Sequence, residues 1–192
     1  MISIIIINYN VAKHLKSCID SIYDSDIKSP FEIIIVDNNS TELLDPNLFL
    51  KNNQNQCKFI QLEDNIGFAG AVNHAVSQSL GSEVLLLNPD TLVDKNTVQL
   101  LADYVIDNNN VGVVGCKVIF PSGKYQLSSK RHFPTLGVIF TKLFKLDKLF
   151  PDNKYFGKYN YTYLSHDNLA DVDSISGACM MFRKEIFSKI GQ

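Results

Sequence analysis

From Met1 to Phe120, short β-branched runs alternate with apolar residues at helical spacing. Ile2 to Ile7, interrupted only by Ser3, is the continuous apolar run expected of a strand buried on both faces. Next, Leu15, Cys18, Ile19 and Ile22 fall at positions i, i+3, i+4 and i+7, which predicts a helix over about Ala12 to Tyr23. A second strand is predicted at Phe31 to Val36, followed by a polar connection with Pro46 and a short helix near Leu48. A third strand at Lys58 to Leu62 leads to a helix over about Phe68 to Leu80, closed by Gly81. Val84 to Leu87 and Val111 to Phe120 read as strands four and five, joined by a helix over about Lys95 to Asp107 with Asp94 as its N-cap. Strands separated by helices imply an α/β fold with a mostly parallel sheet covered by helices.

Beyond Phe120 the alternation stops. Residues 121 to 170 are rich in aromatics, lysines and turn formers and predict no regular element. Val172 to Ile175 and Ala178 to Phe182 read as strands, and a helix starts near Lys184. With 192 residues, 45% of them hydrophobic, and a net charge of −2, the chain is expected to form one domain with its own core. That balance excludes collagen-like and disordered chains. Cys18, Cys57, Cys116 and Cys179 stand far apart with no CxxC pair, so neither a disulfide framework nor a zinc site is expected. Reduced thiols and the lack of a leader-like N-terminus point to the cytoplasm. The longest apolar stretch, Leu136 to Phe150, is broken by Lys142, Lys145 and Lys148, short of the ~20 residues a membrane span needs.

Ligands of open parallel sheets sit beyond the carboxyl ends of the strands. Here those ends are polar one after another: Asn8-Tyr9-Asn10, Asp37-Asn38-Asn39-Ser40, Asp64-Asn65-Ile66-Gly67 and Asn88-Pro89-Asp90-Thr91. Any one of them alone reads as a turn with an Asx cap; their recurrence points to a ligand site. Neither GxGxxG nor GxxxxGK[ST] occurs, which excludes the usual dinucleotide and P-loop signatures. Gly67 and Gly70 open a helix whose N–H groups suit a phosphate, or else serve a tight turn and close packing. Asp90, in a turn stiffened by Pro89, suits a divalent ion shared with diphosphate oxygens, magnesium above all, or else caps the turn.

The motifs IIIINYN, VDNNS, NIGFAGAVN, LNPDT and SGACMMFR, in this order, resemble the family 2 glycosyltransferases of the GT-A fold, and among them the bacterial rhamnosyltransferases. The resemblance implies transfer of a sugar from a nucleoside-diphosphate donor to a glycan or lipid-linked acceptor, with inversion. It favours dTDP-rhamnose over a UDP-sugar and implies Mg or Mn as cofactor. On matching positions, Ile7 and Tyr9 contact the nucleoside, Asp37 hydrogen-bonds the base, and Asn65 and Gly67 form the donor-proximal turn. Asp90 is the metal-binding carboxylate of the family's DxD motif, with Asn88 in place of its first acid. Gly177 and Ala178 line the acceptor side. Residues 1–120 are then the nucleotide-binding part and residues 121–192 the acceptor-side part.

The family's general base comes from a Glu-Asp motif downstream of the segment matching SGACMMFR, and the sequence stops at Gln192 before reaching it. The base is therefore expected beyond Gln192, and the 192-residue chain is expected to be a truncated, inactive catalytic domain. Asp173, and behind it Asp171 and Asp167, are the substitutes within the chain, though each reads more readily as a solvated loop residue. A nucleotidyltransferase and a nucleotide-binding module without turnover are the rival readings.

Charge is partitioned. Residues 117–158 carry nine basic and two acidic groups, a net of +7, interleaved with Phe140, Leu143, Phe144, Leu146, Leu149 and Phe150. The rest carries nine basic and eighteen acidic groups. The stretch reads either as a solvated face over a core helix or as a peripheral contact with an anionic membrane. Nucleic acid is not an expected partner, since the chain is slightly acidic and no binding motif accompanies the basic stretch. His14, His74, His132 and His166 are scattered and predict no site.

Overall fold

A computed structural model describes residues 1–42, 44–46 and 56–190. The short helix expected near Leu48 lies outside these residues, and so does Gln192, the residue beyond which the general base is expected. The described residues form two compact units, one of residues 1–114 with 177–192, the other of residues 115–176.

The first unit is built on strands β1 (Ile2–Asn8), β2 (Phe31–Asp37), β3 (Cys57–Gln61), β4 (Glu83–Leu87), β5 (Val113–Gly115) and a late strand, β8 (Cys179–Arg183). Their order across the sheet is β3-β2-β1-β4-β8-β5. β1, β2, β3 and β4 are parallel, in a register that sets Ile4 beside Ile33 and Leu85, and Asn8 beside Asp37. Every residue of β1 is buried, as the unbroken isoleucine run requires. Residues alternate between the two faces of the sheet. Ile5, Ile7, Ile34, Val36, Val84 and Leu86 join Ala71, Val72, Ala75 and Val76 of helix α2 (Gly67–Gln78) in one core cluster. On alternate positions Ile4, Ile6, Ile33, Ile35 and Leu85 are just as buried, and helix α3 (Thr97–Asp107) packs on β4 and β8. Helix α1 (Ala12–Tyr23) buries the four residues that its spacing marked. Truncating one of these isoleucines to alanine costs about 2–5 kcal/mol.

β8 pairs antiparallel with β4, from Glu83 beside Arg183 to Leu87 beside Cys179. The junction into helix α6 (Lys184–Ile190) then closes two helix ends. Arg183 donates to the carbonyls of Val105, of Asn108 (3.1 Å) and of Val111 (3.2 Å), at the end of α3. Lys184 Nζ donates to Ser79 O at 2.6 Å, at the end of α2. Cations at helix C-termini are favoured by the unpaired carbonyls there.

Three local expectations are corrected. Gly81 does not close α2, whose C-cap is Ser79 in extended conformation. A Cβ at Gly81 would stand 2.6 Å from Met1 O, Ser3 N and Ser3 Oγ, so glycine is required there by the close approach of β1. Asp94 is not the cap of α3; the N-cap is Asn96, and the Asp94 carbonyl instead receives the Thr97 N–H at 3.0 Å. Strand five is three residues long rather than ten: the chain leaves the sheet after Gly115, and Ile119 pairs instead with Tyr125 across a turn at Pro121–Gly123, where Phe120 N donates to Lys124 O at 2.8 Å and Gly123 takes φ +78°.

In the second unit, the antiparallel pair β6 (Lys130–Arg131) and β7 (Ser174–Ile175) accompanies helices α4 (Leu136–Leu143) and α5 (Leu146–Leu149). The two helices meet at Lys145, which adopts φ +57°. Lys142 Nζ donates to the buried Asp147 at 2.7 Å and to Asn160 Oδ1 at 3.0 Å, and Asn160 Nδ2 bonds Leu127 O at 3.0 Å. Tyr125 stacks on His166 with ring centres 3.8 Å apart. No helix among the described residues is long and apolar enough to cross a membrane.

Candidate functional site

The C-terminal ends of β1, β2 and β4 meet at one rim, and side-chain amides tie the β1 loop to the β2 loop and the β2 loop to the one that follows β3. Asn8 Nδ2 donates to Asp37 Oδ2 at 2.6 Å and to Ser40 Oγ at 3.1 Å. Asn10 Oδ1 accepts the Thr41 N–H at 2.9 Å and its hydroxyl at 3.0 Å, joining the β1 loop to the β2 loop. Asn10 and Asn39 hold φ of +58° and +62°, a left-handed backbone that asparagine tolerates better than most side chains. One loop further, Asn38 Nδ2 donates to Asn65 Oδ1 at 2.9 Å while Asn38 Oδ1 accepts the Ile66 N–H at 3.0 Å. Asn65 Oδ1 also receives the Gly67 N–H at 2.9 Å. The polar clusters that the sequence placed after β1, β2 and β3 are thus hydrogen-bonded to one another, while the loop after β4 is held separately, through the Asn88 N–H to Ala178 O.

Asp37 lies at the centre. It is 1% exposed and accepts four hydrogen bonds, from Asn8 Nδ2, Gln61 Nε2 (2.9 Å), Ser40 N (2.8 Å) and Ser40 Oγ (2.8 Å). A carboxylate has about four acceptor positions, and all are engaged within the protein. Nearby, the buried Asn8 Oδ1 has no partner among the described residues.

In front of this layer opens a cleft of about 360 Å³ lined by Ile7, Tyr9, Val11, Asn38, Asn65, Phe68, Asn88, Pro89 and Asp90. Of the residues singled out in the sequence, Ile7, Tyr9, Asn65, Asn88 and Asp90 therefore share one wall. Asp37 stands directly behind it, next to the lining residue Asn38. Gly67 opens α2 at φ +75°, with free space where a Cβ would stand. Gly177 borders a smaller recess that shares Ile7, Phe68 and Asn88 with the cleft. Ala178 O accepts the Asn88 N–H at 2.9 Å and holds the β4 loop from the β8 side. Asp173 belongs to the second unit, where its carboxylate accepts the Phe133 N–H at 3.0 Å and lies 3.4 Å from His132 Nδ1. The Phe133 N–H, with help from His132, holds that carboxyl below the usual range.

Sequence reasoning assigned no role to Asn38 or Phe68. Asn38 was visible within VDNNS, but nothing in the string separates its bridging amide from its neighbours. Phe68 is in helical register with the buried Ala71, Val72 and Ala75, yet it remains 55% exposed at the mouth of the cleft.

Asp90 is the one carboxylate in the lining, and no lysine, arginine or histidine accompanies it. Among the described residues, no three His, Cys, Asp or Glu side chains gather into a metal cage. Behind the β4 loop, Cys18 Sγ contacts Asn88 O at 3.6 Å. Burial, followed by the charge of Asp90, pushes the Cys18 thiol up to about 12, so it is no nucleophile at neutral pH. The cleft is equipped to hold and orient a polar ligand through amides, an aromatic pair and one exposed carboxylate.

The profile of "Glycosyl transferase family 2" matches residues 3–191. The low-salt glycan biosynthesis hexosyltransferase Agl10 of Haloferax volcanii is 28% identical over 99% of this chain and 55% of its own length. The crystal structure of Staphylococcus aureus TarS 1-349 in complex with UDP-GlcNAc is 28% identical, covers 67% of this chain and 38% of that one, and superposes with a TM-score of 0.53. The mannosyltransferase PcManGT from Pyrobaculum calidifontis, solved with GDP-Man and Mn2+, is 24% identical with a TM-score of 0.54 over 63% of this chain and 36% of its own, a likeness of fold. The chain spans between 13% and 55% of the length of the first curated relatives it matches. The expected α/β fold of GT-A type is the fold observed.

Proposed function

The chain belongs to glycosyl transferase family 2, and on that premise we propose that it binds a nucleoside-diphosphate sugar in the β1–β2–β4 cleft and passes the sugar, with inversion, to a glycan or lipid-linked acceptor. Supporting the reading is the joint lining of one cleft by Tyr9, Asn38, Asn65, Phe68, Asn88 and Asp90 at the strand ends. Ile7, Tyr9 and Phe68 offer apolar and aromatic surface to a base. Asn65, Gly67 and Asn88 hold the donor's polar parts, Asp37 orders the loops that present them, and Gly177 and Ala178 face the acceptor side. A dTDP-sugar, rhamnose in particular, is the favoured donor, and a UDP-sugar is the second choice.

A diphosphate brings negative charge to a wall with no basic side chain, so a cation must travel with it. Asp90, exposed at the cleft and free of protein hydrogen bonds among the described residues, fits Mg or Mn as a single-carboxylate ligand, the other positions falling to phosphate oxygens and water. Such an ion supplies charge stabilisation to the departing diphosphate. Asn88, whose N–H is fixed to Ala178 O, orients the β4 loop that carries Asp90. Asp173 is not assigned as the base that receives the acceptor's proton, since its carboxylate is committed to Phe133 and His132. The reading has the enzyme in the cytoplasm, with residues 117–158 in peripheral contact with anionic membrane where a lipid-linked acceptor resides.

Titration calorimetry of the 192-residue chain with dTDP and UDP, with and without Mn2+, tests the donor site. Metal-dependent binding that Asp90→Ala abolishes supports the proposal; equal affinity in the variant overturns it. With the full-length gene product and a sugar nucleotide, release of nucleoside diphosphate supports transfer, whereas release of pyrophosphate identifies a nucleotidyltransferase.

A further inference from the structure

Helix α4 turns its apolar face the wrong way for a helix that covers a core. Leu136, Ile139, Phe140 and Leu143 occupy i, i+3, i+4 and i+7, the spacing of one helix face, and all four are exposed, Leu136 at 88% and Leu143 at 74%. Val138 is the buried residue of this helix. Phe144 extends the exposed stripe by one position, and Leu149 and Phe150, also exposed, continue it through α5. A contiguous apolar surface of this kind marks an interaction site.

Charge says what covers it. Between Leu136 and Phe150 the sole acid is Asp147, which is buried and paired with Lys142. Lys145 and Lys148 are exposed, with no ion pair among the described residues. The surface thus shows large apolar side chains and uncompensated cations, the combination that suits lipid headgroups over acyl chains. A symmetric pair of copies would bring the same lysines together, and a polyanionic glycan has no use for exposed Leu and Phe. The Lys142–Asp147–Asn160 hydrogen bonds hold α4 and α5 in place beforehand, which lowers the ordering cost of insertion.

We propose that the Leu136–Leu143 face, with Phe144, Leu149 and Phe150, inserts into the outer part of an anionic phospholipid leaflet, while Lys145 and Lys148 engage its headgroups. This rests on the reading above, in which the acceptor is met at a membrane, and names the element that makes the contact.

The chain contains no tryptophan, so Leu143→Trp provides a single fluorescent reporter at an exposed position. Vesicles of phosphatidylcholine containing about 30% phosphatidylglycerol, which present a negative surface potential, are compared with phosphatidylcholine alone. The expected result is flotation with the anionic vesicles and a blue-shifted, bromolipid-quenched emission. Lys145→Gln and Lys148→Gln should each weaken association about fivefold, the equivalent of about 1 kcal/mol, and Leu136→Ser with Leu143→Ser should abolish it. Equal flotation with both vesicles, an unshifted emission, or a concentration-dependent dimer lost in the Leu136→Ser, Leu143→Ser variant overturns the proposal. Nucleotide calorimetry on the same samples separates the two readings: retained nucleotide binding without flotation removes only the membrane face, and flotation without nucleotide binding removes only the donor site.

Discussion

Asn38 and Asn65 bridge two loops with one hydrogen bond of 2.9 Å, and each amide oxygen also receives a backbone N–H at the start of α2. Asn38→Ala removes the bridge and leaves the Ile66 N–H without its acceptor. A loss of about 1–3 kcal/mol is expected, read from denaturant midpoints. Asn38→Asp keeps an acceptor for Ile66 but sets a carboxylate oxygen against Asn65 Oδ1, so it should recover only part of the lost stability.

Asp37 and Asp90 are expected to fail differently. Asp37→Ala leaves four donors without their carboxylate, the buried Asn8 amide among them, and unfolding measurements should show a loss of about 1–3 kcal/mol. Asp90 is exposed, so Asp90→Asn should leave the unfolding midpoint in place, remove the metal dependence of nucleotide binding, and lower transfer by the full-length enzyme about 10²–10³-fold.

Gly81 tests the packing of β1. In Gly81→Ala the new methyl meets Met1 O and Ser3 N, both backbone, at 2.6 Å. Overpacking of this kind costs about 1–3 kcal/mol or more, seen as a lower melting temperature. Gly177→Ala, whose Cβ would find Met180 Cε at 3.5 Å, should be nearly silent in the same measurement.

Two buried thiols set an alkaline limit. Burial, assisted by Asp90, raises Cys18 to about 12, and burial raises Cys57 to about 11. Each folded value lies above the unfolded one of about 8.5, so the unfolded chain releases protons first. The stability these thiols protect is complete below about pH 8.5 and declines as pH climbs toward the folded values. Urea midpoints between pH 8 and 10.5 should fall with pH, and less steeply in Cys18→Ala or Cys57→Ala. In native protein at pH 8 both thiols should resist iodoacetamide and react once urea is added.

How much was readable depended on how local the cause was. Strands β1, β2 and β4 were legible because a strand covered on both faces needs a run of Ile, Val and Leu, and α1 because its four buried residues repeat at 3.6. The strand-end asparagines were legible as one polar rim, since the parallel topology carries each to the same edge. Gly81 and Asp94 were misplaced because a glycine or aspartate near a helix end looks like a cap, and only the neighbouring chain shows otherwise. The antiparallel seat of β8, and the capping by Arg183 and Lys184 of helices far earlier in sequence, have no local signal at all. Helix α4 was hidden by its outward apolar face, which mimics a buried one.

The sheet order β4-β8-β5 also dictates when the protein can finish itself. On a translating ribosome, the first four strands emerge early and can associate, but β5 has to wait. Its hydrogen-bonding neighbour lies past the whole 115–176 insertion, and until that neighbour is synthesised the flank of β4 stays open to strangers. A nascent chain stalled before Cys179 would be a half-sewn seam, dependent on chaperones for the interval.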